Sequence, residues 1–261
     1  DGSTLLDVSE RFWQLEPWMP GQADFDTNPH RTRLASAMNC LSQWHTAAAR
    51  FQPQASEQKW FASRTGTSPA VKERLARIDD WCSGKLDRLR STLHRDHTSR
   101  FADLGQEIAS LFAAASPMIA AELRSLSQTA FDLQPCLRDV WHDHLLFTVD
   151  EVTGLIDPAA CRTENIATDL ARLLGSLVGD NRDEWSFAIE SYSRHRTLSP
   201  AEHQLIRVLD RSSVLLSGMT WLDRIFLQRM RLTQASAVEA RMKQILERLT
   251  QLRRTIQPDD S

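Results

Sequence analysis

Long apolar runs are missing from this sequence, and so is any excess of basic charge. No run approaches the ~20 residues that a membrane-spanning helix needs. The N-terminal "DGSTLLDVSERFWQ" has neither the basic start nor the apolar core of a signal peptide. With 31 Lys and Arg against 34 Asp and Glu, the net charge of -3 does not indicate binding to nucleic acid or to a membrane surface. We therefore expect a cytoplasmic protein without nucleic-acid or membrane partners.

Cysteine is also sparse. The four cysteines form no CxxC pair and are widely spaced: Cys40, Cys82, Cys136 and Cys161. This pattern predicts free thiols rather than a disulfide framework or a zinc site. What is present is ordinary globular composition, with 41% hydrophobic and 25% charged residues among 261, enough for one large domain or two small ones.

Helical periodicity dominates the chain. Apolar residues at 3-and-4 spacing predict amphipathic helices in eight stretches: from Arg33 to about 51, from about Ala70 to 93, 101–112, from Pro117 to 126, 165–178, about 182–194, 200–230 and 234–255. Gly84 is a weak point within the second helix. The last helix is basic on its outer face, which favours a solvated charged surface, with a docking or coiled-coil helix as the alternative.

Strand signals occur in two places only. Residues 4–8 and 11–16 alternate like two short strands, and "EPWMPG" follows as an irregular connector. The runs "LLF" (145–147) and "VTGLI" (152–156) predict a hairpin, with "TVDE" as its turn. Residues 52–69 contain Pro and Gly and are predicted to be a loop.

Acidic residues stand at both ends of this hairpin. Four residues separate Asp139 from His144, and Asp157 ends the second strand. Phosphoryl transfer needs an acceptor base, metal ligands beside the phosphates and a nucleotide cradle, and kinases place base and ligands around a hairpin at this spacing. The hairpin would bring both polar ends close together.

The segment "LRDVWHDHLLFTVDEVTGLIDPAACRTENIATDLARLLGSLV" resembles the catalytic core of the aminoglycoside phosphotransferase and choline-kinase-like family. "RFWQLEPWMPG" is similar to the last N-lobe strand and hinge of that family, and "LASAMNCLSQWHTAAARF" to the helix after the hinge. The resemblance implies a mainly α fold with a small β-hairpin, the C-terminal lobe of a protein-kinase-like α+β fold. Residues 1–20 would be the remnant of the N-lobe strands and hinge, and residues 21–261 a helical lobe with its catalytic hairpin at about 137–158.

The resemblance also implies roles for individual residues. Asp139 would be the catalytic base and Asp157 the main metal ligand, while Glu16 and Trp18 at the hinge would bind the adenine. Asp169 would brace the catalytic loop. The implied cofactors are ATP or GTP with Mg²⁺, and the implied partner is a small substrate that carries a hydroxyl group.

The sequence departs from the family pattern at several positions. Leu137 stands where the family has His, His144 where it has the metal-binding Asn, and Pro158 follows the metal-binding Asp. Magnesium prefers oxygen ligands, so Asp143 is an alternative ligand to the imidazole of His144. The glycine-rich phosphate loop would lie upstream of residue 4, and we expect the chain alone to be weakly active or inactive.

Other interpretations stay open beside this one. The chain can be a pseudokinase or nucleotide-binding module without turnover, or a helical interaction domain whose hairpin is only structural. Asp139 can be a loop residue or a helix cap, and Asp157 a turn acid before proline. His45 on the first long helix is predicted to be an interior histidine with satisfied hydrogen bonds.

Overall fold

Helices make up most of the residues, 5–14 and 17–256, that the computed structural model describes. Within these ranges there are eight α-helices: α1 Arg31–Ala49, α2 Pro69–Asp80, α3 Leu86–Arg95, α4 Ala102–Ser125, α5 Ala167–Leu177, α6 Arg182–Ser193, α7 Pro200–Leu222 and α8 Ala235–Ile256. The prediction of a mainly α fold is confirmed. None of the described helices is long and apolar enough to cross a membrane.

The strands form three small antiparallel sheets. They are β1 Leu5–Val8, β2 Arg11–Gln14, β3 Arg64–Gly66, β4 Phe131–Cys136, β5 Leu145–Thr148, β6 Glu151–Leu155 and β7 Arg162–Glu164. The first sheet pairs β1 with β2, the second has the order β3-β4-β7, and the third pairs β5 with β6. The predicted strand ends at 4 and 15–16 lie outside the described residues.

The predicted hairpin is present as β5 and β6. Leu145 pairs with Leu155, and the register shifts between Leu146 and Phe147. The connector before α1 is tied to this hairpin because Gln22 and Phe147 exchange two backbone hydrogen bonds of 2.9 Å. Gly21 makes this approach possible: its φ is +106°, and a Cβ at this position would lie 2.9 Å from the carbonyl oxygen of Phe147.

The prediction that strands occur in only two places is wrong. The supposed loop at 52–69 contains β3, and β4 and β7 complete a sheet beside it. β4 does not show the usual alternation of apolar and polar residues, because its last four residues are all buried and one of them is Pro135. The proline is tolerated since β3 pairs only with Phe131–Leu133, so Pro135 has a partner, Thr163, on one side only.

Two predicted helix breaks have different outcomes. The predicted break between residue 112 and Pro117 is absent, because α4 continues through Pro117. Phe112 and Ile119, on either side of the proline, are fully buried, and this packing offsets the hydrogen bond that proline removes from a helix interior. The weak point at Gly84 is confirmed, because the backbone there has φ +99° within a π-helical turn between α2 and α3.

The basic face of α8 is only partly solvated. Its apolar side chains Met242, Ile245 and Leu249 are buried in the core. Arg248, predicted to face solvent, turns toward the protein and donates hydrogen bonds to Asp180 at 2.9 Å and to Asp210 at 3.2 Å. Carboxylates on neighbouring elements attract this guanidinium, and the periodicity of a single helix does not reveal such partners.

Candidate functional site

The loop that enters the hairpin is held by one buried carboxylate. Asp169 on α5 is fully buried. Its two oxygens accept hydrogen bonds from the backbone N–H of Leu137 at 2.8 Å and of Arg138 at 2.6 Å. These bonds fix the backbone immediately before Asp139, and the prediction that Asp169 braces this loop is confirmed. Leu137, in the family's His position, is buried and contributes packing instead of a hydrogen bond.

A second layer fixes Asp169 itself. The Tyr192 hydroxyl lies 2.7 Å from Nδ1 of His45, and Nε2 of His45 lies 3.0 Å from Asp169. Burial lowers the pKa of His45, so the neutral imidazole accepts from Tyr192 and donates to Asp169. Burial also raises the pKa of Tyr192, which keeps its hydroxyl protonated. His45 is thus the satisfied interior histidine that the sequence predicted.

His45, Cys136 and Asp169 bring one ligand atom each within 4.8 Å of one another, a spacing that a metal ion could use. Their other contacts indicate a structural cluster instead. Burial, the largest cause, and nearby carboxylates raise the pKa of Cys136 well above its ordinary value, so the thiol stays protonated. Its Sγ donates to the carbonyl oxygen of Glu164 at 3.3 Å, and the oxygens of Asp169 are already hydrogen-bonded.

The free energy of unfolding should fall as the pH drops below the ordinary His45 pKa of 6.5. Below this pH the imidazole binds a proton in the unfolded chain but not in the folded protein, where its pKa is lowered. The stability linked to neutral His45 is fully present above pH 6.5, and it is fully lost once the pH lies below the pKa of His45 in the folded protein. His45→Gln keeps hydrogen-bonding groups but does not titrate, so urea unfolding at a series of pH values should show a flatter slope.

The wild type must be compared with His45→Gln at each pH, because Glu164 and Asp210 also change the stability as they titrate. Burial raises the pKa of both carboxyl groups, so they change stability with pH in the opposite sense. Subtracting the variant from the wild type at each pH removes their contribution. Equal slopes in the two proteins would show that His45 is not the titrating group.

Asp139 is exposed and forms an ion pair. Arg172, one turn along α5 from Asp169, donates to its Oδ1 from Nη2 at 3.0 Å and from Nε at 3.2 Å. The side chains of Asp139 and Arg172 are 57% and 39% exposed, so the pair contributes only about 1 kcal/mol or less. A ligand can therefore separate the two at small cost.

The cluster of His142, Asp143 and His144 divides into two parts. Nδ1 of His142 is hydrogen-bonded to the hydroxyl of Ser176 at 2.9 Å, and its Nε2 lies 3.2 Å from Asp143. Nε2 of His144 instead accepts from the indole N–H of Trp141 at 2.7 Å. The structure therefore pairs Asp143 with His142, not with His144.

Asp157 lies directly beyond the hairpin. The N–H of Ile156 donates to the carbonyl oxygen of His144 at 3.0 Å, which joins the exit of β6 to the loop before β5. The carboxylate of Asp157 is 62% exposed and lies 3.9 Å from Nε2 of His144. Its backbone is left-handed, with φ 56°. Arg138, immediately before Asp139, is also left-handed, with φ 65°. Non-glycine residues with such backbones cluster at functional sites.

Of the two predicted hinge residues, Trp18 and Glu16, the structure describes only Trp18. Trp18 is 98% exposed, so its indole ring is available to a ligand. Glu16 lies outside the described residues. Pro20, two residues after Trp18, contacts the hairpin, because its carbonyl oxygen accepts a hydrogen bond from the hydroxyl of Thr153 at 2.8 Å. The role of Glu16 and Trp18 at the adenine stays a prediction.

Sequence reasoning missed Arg172 and Ser176, which contact the loop from α5. A signal for them existed: Asp169, Arg172 and Ser176 are spaced by three and four residues, so they share one face of the helix. Once Asp169 is assigned to the loop, the other two must face it as well.

A helical lobe with a braced loop before a β-hairpin is the architecture of a kinase-like C-terminal lobe. The sequence matches the phosphotransferase enzyme family over residues 1–204, and the chain belongs to this family. A comparison with curated proteins found no match.

Solved structures with this fold include several small-molecule phosphotransferases. A spectinomycin phosphotransferase is 13% identical, with a TM-score of 0.57 over 96% of this chain and 74% of the other. The amicoumacin kinase hAmiN is 15% identical, with a TM-score of 0.54 over 94% and 69%. An aminoglycoside phosphotransferase from Alicyclobacillus acidocaldarius is 17% identical, with a TM-score of 0.50 over 97% and 74%. At this identity the likeness concerns the fold.

Proposed function

We propose that the protein transfers the γ-phosphoryl group of ATP or GTP to a hydroxyl group of a small molecule in the cytoplasm. The observation that carries the proposal is the pair of hydrogen bonds that the Asp169 carboxylate accepts from the backbone N–H groups of Leu137 and Arg138, just before Asp139. Such a brace gives an exposed carboxylate a fixed position, which a catalytic base needs. The amicoumacin kinase was solved with AMP-PNP and the spectinomycin enzyme with ADP, which supports a nucleotide as donor.

Asp139 acts on the acceptor. Its carboxylate takes the proton of the acceptor hydroxyl while the hydroxyl oxygen forms a bond to the γ-phosphorus. The bond from that phosphorus to the β,γ-bridging oxygen breaks, and the nucleoside diphosphate leaves. Arg172 must release Asp139 for this step, and the small free energy of their exposed pair permits it.

Asp157 fits a magnesium ion. Magnesium is usually bound by one or two carboxylates together with phosphate oxygens and water, and the carboxylate of Asp157 is exposed. The ion would neutralise charge on the transferring phosphates. His144 fits less well while its Nε2 accepts from Trp141, because that lone pair is already used. Asp143 is the further candidate ligand.

Trp141→Phe should raise the affinity of the protein with AMP-PNP for Co²⁺ by several-fold and leave its affinity for Mg²⁺ unchanged. The substitution removes the indole N–H and frees Nε2 of His144, and imidazole binds Co²⁺ better than Mg²⁺. Calorimetric metal titrations measure both affinities. Trp60→Phe, on a Trp outside the hairpin, is the control. Unchanged Co²⁺ affinity in Trp141→Phe would remove His144 from the metal site.

The same Trp141–His144 bond favours a second function, a nucleotide-binding module without turnover. In that case the hairpin keeps its nucleotide but lacks a complete set of metal ligands. Calorimetric titration of the full-length gene product with ATP, with and without Mg²⁺, tests the proposal. We expect Mg²⁺-dependent binding followed by turnover. Binding without turnover of ATP would support the module, and no binding would exclude both.

For the hinge we propose that Trp18 stacks on the adenine and that Glu16 lies beside it. The 98% exposure of Trp18 supports this role, because an aromatic ring without protein contacts is free to cover a base.

A further inference from the structure

A cleft opens beside the catalytic loop, between α5, α7 and α8. Its lining includes Trp141, Arg172, Ser176, Asp210, Arg241 and Arg248. Arg172 also holds Asp139, so the cleft begins where an acceptor hydroxyl would meet the proposed base. Its volume of about 100 Å³ admits a carboxylate or phosphate group but not a whole sugar-sized molecule.

The charges in this cleft are unevenly compensated. Arg248 is neutralised by Asp180 and Asp210, and Arg172 by Asp139. Arg241 has no carboxylate partner among the residues the structure describes, and its guanidinium donates only to the amide oxygen of Gln244, at 3.2 Å.

The guanidinium of Arg241 is therefore repelled by neighbouring guanidinium groups, and no described carboxylate offsets this repulsion. Partial burial, followed by the positive charges of Arg172 and Arg248, lowers the pKa of its guanidinium. An anion placed between Arg241 and Arg172 would remove that repulsion and form charge-assisted hydrogen bonds to both.

We infer that the acceptor is an anion, whose carboxylate or phosphate group binds Arg241 and Arg172 while its hydroxyl faces Asp139. The inference rests on the proposed phosphotransferase function and names the substrate class of that site. Polycationic acceptors are disfavoured, because an ammonium group in this cleft would meet two guanidinium groups.

The arrangement links binding to catalysis. An anion that attracts Arg172 draws it away from Asp139, and the freed carboxylate can then accept the hydroxyl proton. The exposed Asp139–Arg172 pair is weak enough for this exchange. Arg172 is thus a positioning residue for the base as well as a ligand for the acceptor.

The test uses matched acceptors that differ in charge: gluconate, sorbitol and glucamine, with glucose 6-phosphate as a second anion. Phosphoryl transfer from ATP and direct calorimetric binding are both measured on the full-length gene product. We expect the protein to bind at least one of the two anions and to phosphorylate it. Both binding and transfer should be weaker with sorbitol and weakest with glucamine. Gluconate against glucose 6-phosphate distinguishes a carboxylate from a phosphate as the recognised group.

Arg241→Gln should weaken binding of the preferred anion by about tenfold to a hundredfold, as expected for losing one charged hydrogen-bonding partner, with ATP affinity unchanged. Arg254→Gln removes the same charge from an exposed position on α8 and should change neither quantity. A preference for sorbitol or glucamine, no binding of either anion, or equal effects of the two variants would overturn the inference. Anion binding that depends on Arg241 without any transfer would instead overturn the proposed function and leave the anion site standing.

Discussion

Asp139→Asn should lower turnover by at least about a hundredfold, the usual effect of removing a general base. The amide has nearly the shape of the carboxylate but cannot accept the hydroxyl proton. Because the base acts in the transition state, the dissociation constant for the nucleotide should change little. Steady-state rates and calorimetric nucleotide binding measure the two quantities separately.

Asp150→Asn is the matched control for this variant. Asp150 lies in the turn of the same hairpin and pairs with His30 at 3.0 Å, so the same change is made at a similarly exposed carboxylate. Its turnover should remain near that of the wild type. If Asp139→Asn retains turnover within a few-fold of the control, Asp139 is only an ion-pair partner of Arg172.

Asp157→Asn should lower turnover on the order of a hundredfold and also weaken Mg²⁺-dependent nucleotide binding. Asn is the informative replacement because it tolerates the left-handed backbone, φ 56°, that Asp157 adopts, whereas Ala would add strain. The amide oxygen is uncharged and a weaker magnesium ligand than a carboxylate.

Titrations of Asp157→Asn with ATP in Mg²⁺ and in EDTA separate metal binding from nucleotide binding. The loss of affinity should appear in Mg²⁺ and disappear in EDTA. A loss of equal size in both conditions would mean that Asp157 contacts the nucleotide or supports the fold, and that the metal is held elsewhere.

The hairpin could be predicted from sequence because its signal is local: the period changes from 3.6 to short apolar runs at 145–156. The bracing role of Asp169 came from the family resemblance of the segment that contains it. The sheet of β3, β4 and β7 could not be predicted in this way. Its strands are short and non-consecutive, and the burial that stabilises them comes from partners far away in sequence.

The details of the site depend on side-chain contacts that no pattern encodes. The bond from Trp141 to His144 lies in an irregular loop, where spacing does not determine orientation. In the sequence Arg241 belongs to the basic outer face of α8, and only the packing of that helix shows that Arg241 and Arg172 line the same cleft. Residue types indicated the chemistry, while tertiary contacts decide which groups remain available for it.

The most direct test of the phosphotransferase proposal is a single-turnover experiment with ATP labelled in the γ-phosphate. Wild type and Asp139→Asn, each with Mg²⁺, are offered gluconate, glucose 6-phosphate, sorbitol and glucamine. The proposal predicts that the wild type moves the label to a hydroxyl of an acceptor, as a phosphate monoester, and that Asp139→Asn binds ATP but leaves the label in it. Label that never reaches an acceptor, with equal ATP consumption in the two proteins, would contradict the proposal.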